Sequence, residues 1–524
     1  MADNLIDSLD DGAFTNLRSL SYLELSRNRI TTISDEAFVN LPNLFSLHLD
    51  RNNIGNFSVT VLSQLPNLRT IYLNHNLLTT IVNGTFSSLS KLQRIFLASN
   101  RIVFIEPGTF SGPEMLQTLD LSFNRISHLV PDLFANGPAR LTLLNMSHNL
   151  LEELHEERFR GLAGLSALDL SSNLLTSLEN ENFLGLSSLR TLLLGHNRLS
   201  SLQNTTFAGF DSLLELSLAS NLLSASSLIY ISGLRSVSAV SLENNMISYI
   251  PPGAFSRCPR LTSLSLRLNQ LRSLDTDVLN SLSMIRHLDL GYNRLIITTL
   301  EDLGSFFPRL QSLRLDGNRL TTLPRSIFQS RSIFQSSASP VVELDLSSNR
   351  LRSQNVFSCM SNLTRLSVLR MDRNLIDVIP SELTASLSQS VTVLSLRYNR
   401  VTSDGVQALY NFTQLTELRL DVNRLSALPR GIFARMFSLQ TLSASDNQLR
   451  QLHNDSFYGA VRTLTSLSLA ENLIHTVSPT AFSRMTAIRD LDLSDNQITR
   501  LTLPAIMSQL NRLSLSMNLS LIHI

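Results

Sequence analysis

The sequence predicts an α/β fold wound as a curved right-handed solenoid, one coil per 24 or 25 residues, with a parallel β-sheet on the concave face. Three observations support this. An asparagine returns at Asn4, Asn28, Asn52, Asn76, Asn100 and Asn124 and continues at nearly the same step to Asn518. Just before each one, aliphatic and variable residues alternate, as in Ile95, Phe96 and Leu97. About ten residues after it a phenylalanine recurs, as at Phe38, Phe86, Phe110, Phe207 and Phe255.

Each part of the coil follows from these residues. The alternation has a period of two, so it reads as a short strand with aliphatic side chains inward and variable ones outward. Strands that return in the same direction after each coil pair in parallel, with right-handed crossovers. The amide of the asparagine can donate and accept, so a stacked column of them should satisfy backbone groups where the chain turns inward. The returns are short and rich in Pro, Gly, Ser and Asp, which predicts turns and 3-10 pieces on the convex side. Three coils, after Asn221, Asn349 and Asn399, lack the usual phenylalanine, and 404–410 reads as a short convex helix.

Residues 1–524 are therefore expected to form one array of about 21 strand-bearing repeats. It begins in mid-repeat, and 519–524 fall out of register, so the chain is expected to be a fragment of a longer protein. One step, between Asn318 and Asn349, stretches to 31 residues because RSIFQS at 325–330 is repeated at 331–336. It reads as a duplication tolerated in a surface loop, which is cheap, or as a binding protrusion.

Composition narrows the partners. With 43 basic and 42 acidic residues, the charge balance gives no footprint for nucleic acid or an anionic membrane, and neither is an expected partner. There is no apolar run long enough to insert in a bilayer, and the first residues lack the pattern of a signal peptide. Cys258 and Cys359 sit at core positions four repeats apart, so they read as buried thiols that cannot bridge. No nucleophile–base motif, HExxH spacing, phosphate loop or dinucleotide motif is present; no enzyme activity, cofactor or metal is expected.

The run from Leu92 through Ile95, Leu97, Asn100, Ile102 and Ile105 to Phe110 reads LxxLxLxxNxLxxLxxxxF, with L for any aliphatic residue. Over residues 4 to 518 this pattern resembles the leucine-rich-repeat superfamily. Its 24-residue unit is similar to the typical class found in the ectodomains of Toll-like receptors, chaoptin, Slit and the acid-labile subunit. The resemblance implies a protein-binding module that is secreted or displayed at a cell surface. The chain departs from that class in lacking cysteine-rich caps, a membrane helix and a signalling domain.

Ligand information must lie in the variable strand positions, where the fold demands no particular residue. One group stands out: Tyr22, His48, Asp50, Arg51, Tyr72, Asn74, His75, Arg94, Phe96 and Phe123. Aromatics flanked by arginine have the composition of an interface hot spot, although neighbouring rings can also simply stack along a parallel sheet. A secondary candidate group is Arg314, Asp316, Arg370, Asp372, Arg397, Tyr398 and Arg419, whose opposite charges can instead neutralise one another. Among several sequons, Asn83, Asn204 and Asn454 share one turn position and are the glycosylation candidates. The expected partner is a protein ligand or a homophilic copy. Two functions stay open: a receptor-like recognition module outside the cell, or a cytoplasmic scaffold that recruits or regulates an enzyme.

Overall fold

A computed structural model describes the chain except residues 57, 135–136, 180–181, 205, 208, 297–305, 325–326, 329–338, 382–386, 505 and 520–524, and the side chains of 355 and 358. The fold is a parallel β-solenoid with little helix. It divides into two compact units, Met1–Leu264 and Ser265–Ile524. The tail beyond Leu519 lies outside the described residues. So does the duplicated segment, apart from Ile327 and Phe328, which are buried.

In the first unit the opening ladder strands are β1 (Tyr22–Glu24), β2 (Ser46–His48), β3 (Thr70–Tyr72), β4 (Arg94–Phe96) and β5 (Thr118–Asp120). Each pairs in parallel with the next, and five further strands continue the series to Ala239–Ser241. Register keeps every strand centre in one inward column, Leu23, Leu47, Ile71, Ile95 and Leu119, and these are buried. The second unit repeats the scheme from His287–Asp289 to Arg512–Ser514.

The asparagine column is a hydrogen-bonded ladder. Asn76 Nδ2 donates to the Leu49 carbonyl at 2.9 Å and to the Leu73 carbonyl at 3.1 Å, while its Oδ1 accepts from Ile54 N at 3.0 Å. The same three bonds recur at Asn100 and, in the second unit, at Asn423. Asn518 makes them too, although it is only half-buried. Behind the ladder the phenylalanines form their own stacks: Phe86 to Phe110 at 6.2 Å and Phe110 to Phe134 at 5.8 Å in the first unit, Phe433 to Phe457 at 6.3 Å in the second.

Among the described residues the return segments hold only short helices, such as Val59–Ser63, Thr276–Ser281 and the 3-10 stretch Ala225–Gly233. The coil after Asn399 forms a 3-10 helix at Gln407–Asn411, beginning later than the sequence pattern implies.

Candidate functional site

The third residue of each strand faces outward, so β1 to β5 present one register column of Glu24, His48, Tyr72, Phe96 and Asp120. Its rings stack. His48 and Tyr72 centroids are 4.2 Å apart with planes at 22°, and Tyr72 and Phe96 are 4.7 Å apart at 9°. Tyr22 belongs to the other outward column, opposite Ser46, but its ring leans across to within 4.5 Å of His48. The rings therefore stack on one another along the sheet and leave half-exposed edges outward.

Glu24 anchors the first end of this row. Its carboxylate accepts from the Tyr22 hydroxyl at 2.5 Å, from the Ser26 hydroxyl and from Ser26 N at 3.2 Å. Desolvation pushes its pKa up, but the bonds from Ser26 and Tyr22 and the nearby His48 outweigh that and hold it below the usual value. The bond to Glu24, with burial, pushes the Tyr22 phenol up to about 12. Burial lowers the pKa of His48 against the pull of Glu24 and Asp50. Glu24 is absent from the residues singled out by sequence, although its 24-residue spacing from His48 places it in the same column.

Five of the candidates, Asp50, Arg51, Asn74, His75 and Phe123, lie off the strands. Arg51, His75 and Phe123 each precede a ladder asparagine and have left-handed backbone, with φ of 55°, 54° and 54°. The chain must turn inward there so that the asparagine can reach its carbonyls, and the side chain is left exposed at the sheet edge. Phe123 stacks on His148 of the next coil at 4.0 Å. Asn74 is committed to the fold, since its Oδ1 accepts from Ala98 N at 2.8 Å. Arg94 is exposed in the Thr70–Thr118 column.

In the second unit the charged group is neutralised by partners outside it. Arg370 Nη1 lies 2.7 Å and Arg314 Nη2 3.4 Å from Glu343 Oε1, and Arg397 Nε lies 2.9 Å from Asp421 Oδ2. Arg419 pairs with Glu417, and Arg267 with Asp316 at 2.8 Å. Asp372 Oδ1 accepts from the Ser395 hydroxyl at 2.5 Å and Arg397 N at 2.8 Å, while Tyr398 lies beneath Arg373 at 4.3 Å. Arg267, Glu343, Glu417 and Asp421, the partners that complete these pairs, are missing from that group. Glu343 opens a strand one coil from each of its arginines, and Glu417 shares a strand with Arg419.

Patterns described as leucine rich repeat match nine overlapping segments, contiguous over residues 1–295 and again over 413–519, with related patterns at 309–330 and 387–409. The chain belongs to the leucine-rich-repeat family. No curated protein sequence matches it. Among solved structures, this leucine-rich-repeat chain is similar to the TLR13–ssRNA13 complex at 19% identity and TM-score 0.61, over 99% of this chain and 87% of that one. It is similar to the plant peptide hormone receptor RGFR1 in complex with RGF2 at 21% identity and TM-score 0.54, covering 99% and 92%. A leucine-rich-repeat protein of Leptospira interrogans aligns at 23% identity and TM-score 0.59, covering 71% and 90%.

The RNA bound to TLR13 removes the ground for excluding nucleic acid by net charge. A repeat surface meets its ligand locally, so the charge of a patch matters and the sum over the chain does not.

Within the repeats, the shared sequon position has a structural cause. Asn83, Asn204 and Asn454 are exposed, but the hydroxyl two residues on is buried: Thr206 and Ser456 accept from Gln203 N and His453 N at 2.9 and 2.8 Å, and Thr85 donates to the Val82 carbonyl at 2.8 Å. Turn capping thus supplies the Ser or Thr that completes each sequon.

Proposed function

We propose that this chain is a non-catalytic recognition module, part of an extracellular or cell-surface receptor-like protein, which binds a protein ligand or a second copy of itself through the outward face of β1 to β5. One observation carries the reading: four rings from four adjacent strands, Tyr22, His48, Tyr72 and Phe96, form a continuous row with exposed Arg51, His75 and Arg94 beside it. Stacking fixes the rotamers before any partner arrives, so binding loses little side-chain entropy, and rigid aromatic edges bury large area. The charged group of the second unit is a weaker candidate surface, since its arginines are already paired.

The test is differential. Immobilised wild-type chain and the Tyr72→Ala/Phe96→Ala variant are compared for proteins captured from a secreted and cell-surface fraction, and for self-association by sedimentation. Binding that is present in the wild type and lost in a variant of native secondary structure supports the assignment; equal binding by both overturns it. Glycans on Asn83, Asn204 or Asn454 of the native protein would support the extracellular placement, and their absence would favour the intracellular scaffold.

A further inference from the structure

At the Glu24 end of the aromatic row, one donor atom from each of Glu24, His48 and Asp50 lies within 4.8 Å of the others. Two of the three are already set for a common ion. His48 Nδ1 is 3.5 Å from Glu24 Oε2. Donors bound at about 2.0 to 2.2 Å in a tetrahedral zinc site lie roughly 3.3 to 3.5 Å from each other, so this pair needs almost no movement.

The surroundings hold these groups in the orientation a metal requires. Ser46 Oγ lies 2.9 Å from His48 Nε2. With that hydroxyl accepting the Nε2 proton, the tautomer leaves the Nδ1 lone pair directed at the carboxylate. Tyr22 and Tyr72 flank the ring at 4.5 and 4.2 Å and fix its plane. Hydrogen bonds from Tyr22 and Ser26 fix the Glu24 carboxylate. Asp50 is different: its carboxylate is half-buried and makes no hydrogen bond or ion pair among the described residues. In that tautomer a nitrogen lone pair faces one carboxylate with a second beside it, an arrangement relieved by a proton on Nδ1 or by a metal cation.

We propose that Glu24, His48 and Asp50 form a binding site for a divalent first-row metal ion of the Zn²⁺ type, with a fourth position open to water. One imidazole and two carboxylates are a borderline donor set suited to such an ion, whereas Ca²⁺ requires six or more oxygens. The three donors come from adjacent coils, Glu24 from β1 and His48 and Asp50 from β2 and its turn, so no short sequence motif announces them. The site requires no protein partner, and its donors are distinct from the Tyr72 and Phe96 rings on which the recognition reading is tested.

The experiment titrates the untagged, chelator-stripped full chain with Zn²⁺ by calorimetry, and with Co²⁺ while recording its visible absorption. One saturable site per chain with a tetrahedral Co²⁺ spectrum is expected. Asp50→Asn, which removes no contact used by the fold, should weaken Zn²⁺ at least tenfold, as should Ser46→Ala through the lost hydrogen bond to the ligand imidazole. His196→Asn, an exposed histidine in a distant coil, should bind as the wild type does. Absence of a saturable site overturns the proposal, and so does an Asp50→Asn variant with native circular dichroism that binds Zn²⁺ as tightly as the wild type.

Discussion

Arg267 holds Asp316 by two parallel hydrogen bonds, Nη1 to Oδ1 at 2.9 Å and Nη2 to Oδ2 at 2.8 Å, across the coil that carries Gly291. The carboxylate is buried and the guanidinium also lies over the Tyr292 ring at 4.7 Å. The missing side chain is what lets the two meet: a Cβ on Gly291 would stand 2.4 Å from Arg267 Nη1 and 2.6 Å from Asp316 Oδ1. The bond to Asp316, working against desolvation, holds the Arg267 proton more firmly than usual.

Removing one partner of such a pair leaves a charge without its counterion. Asp316→Ala should therefore cost about 3 kcal/mol in urea unfolding. Gly291→Ala should part the same pair and lose a comparable amount, although its backbone φ is ordinary. In the double variant the losses should be far from additive, because the second change has nothing left to break. Fully additive losses would show that Gly291 acts independently of the pair.

The asparagine ladder has a built-in redundancy that limits the damage from any single loss. The Leu49 carbonyl accepts from Asn76 and also from Asn52, at 3.1 Å, so deleting Asn76 leaves it one donor. The Ile54 amide has only the Asn76 side chain as acceptor among the described residues and is left unpaired in a buried place. Asn76→Ala should cost about 1–3 kcal/mol, the penalty for one orphaned donor. Replacing Asn52 and Asn76 together should cost more than the sum, since the Leu49 carbonyl then loses both donors; chemical denaturation of the two single variants and the double variant measures this.

These relationships mark what a sequence of this kind makes legible. The strands, the ladder asparagines and the phenylalanine stacks recur in coil after coil, because every coil faces the same packing demand. The aromatic row was visible for the same reason, with His48, Tyr72 and Phe96 in one register column. What escaped depends on single exceptions. The reach of Arg267 to Asp316 skips a coil and requires Gly291 to be bare. The lean of Tyr22 toward His48 crosses columns, and the edge placement of Arg51, His75 and Phe123 follows from positive φ values that residues of these types seldom announce.

Two neighbouring carboxylates in the second unit should shape acid stability in opposite directions. Burial raises the pKa of Glu343, but the hydrogen bond from Arg370 and the charge of Arg314 outweigh it and leave the value lowered. The unfolded chain then binds the extra proton first, so this contribution is complete above about pH 4.3 and is lost as pH falls through the folded value. Asp345 is raised, chiefly by desolvation, against hydrogen bonds from Ser347. Its folded form binds the proton first, so stability falls as pH climbs from about 3.9 through the folded value. Glu343→Gln should weaken the protein at pH 7 and flatten its acid limb, whereas Asp345→Asn should strengthen it at pH 7 and leave pH 3 nearly unchanged. Unfolding midpoints across that range distinguish the two.

The thiols offer a direct probe of how tightly the coils close. Cys258 and Cys359 are both buried and unbridged, donating weakly to the Ile231 carbonyl at 3.5 Å and the Val356 carbonyl at 3.0 Å. Burial pushes Cys258 up to about 11 and Cys359 up to about 12. A thiol must become thiolate before it attacks, and at pH 8 neither does so to a useful extent in the folded chain. Reaction with a disulfide reagent should therefore follow local opening of the coil. Native protein should show almost no labelling on the timescale on which a free thiol reacts, and two labels per chain should appear in denaturant. Because each cysteine belongs to its own coil, sub-denaturing urea should expose them at rates that differ between the sites, and Cys258→Ser and Cys359→Ser assign each rate. Rapid labelling of the native chain at either site would mean that its coil is open far more often than its packing allows.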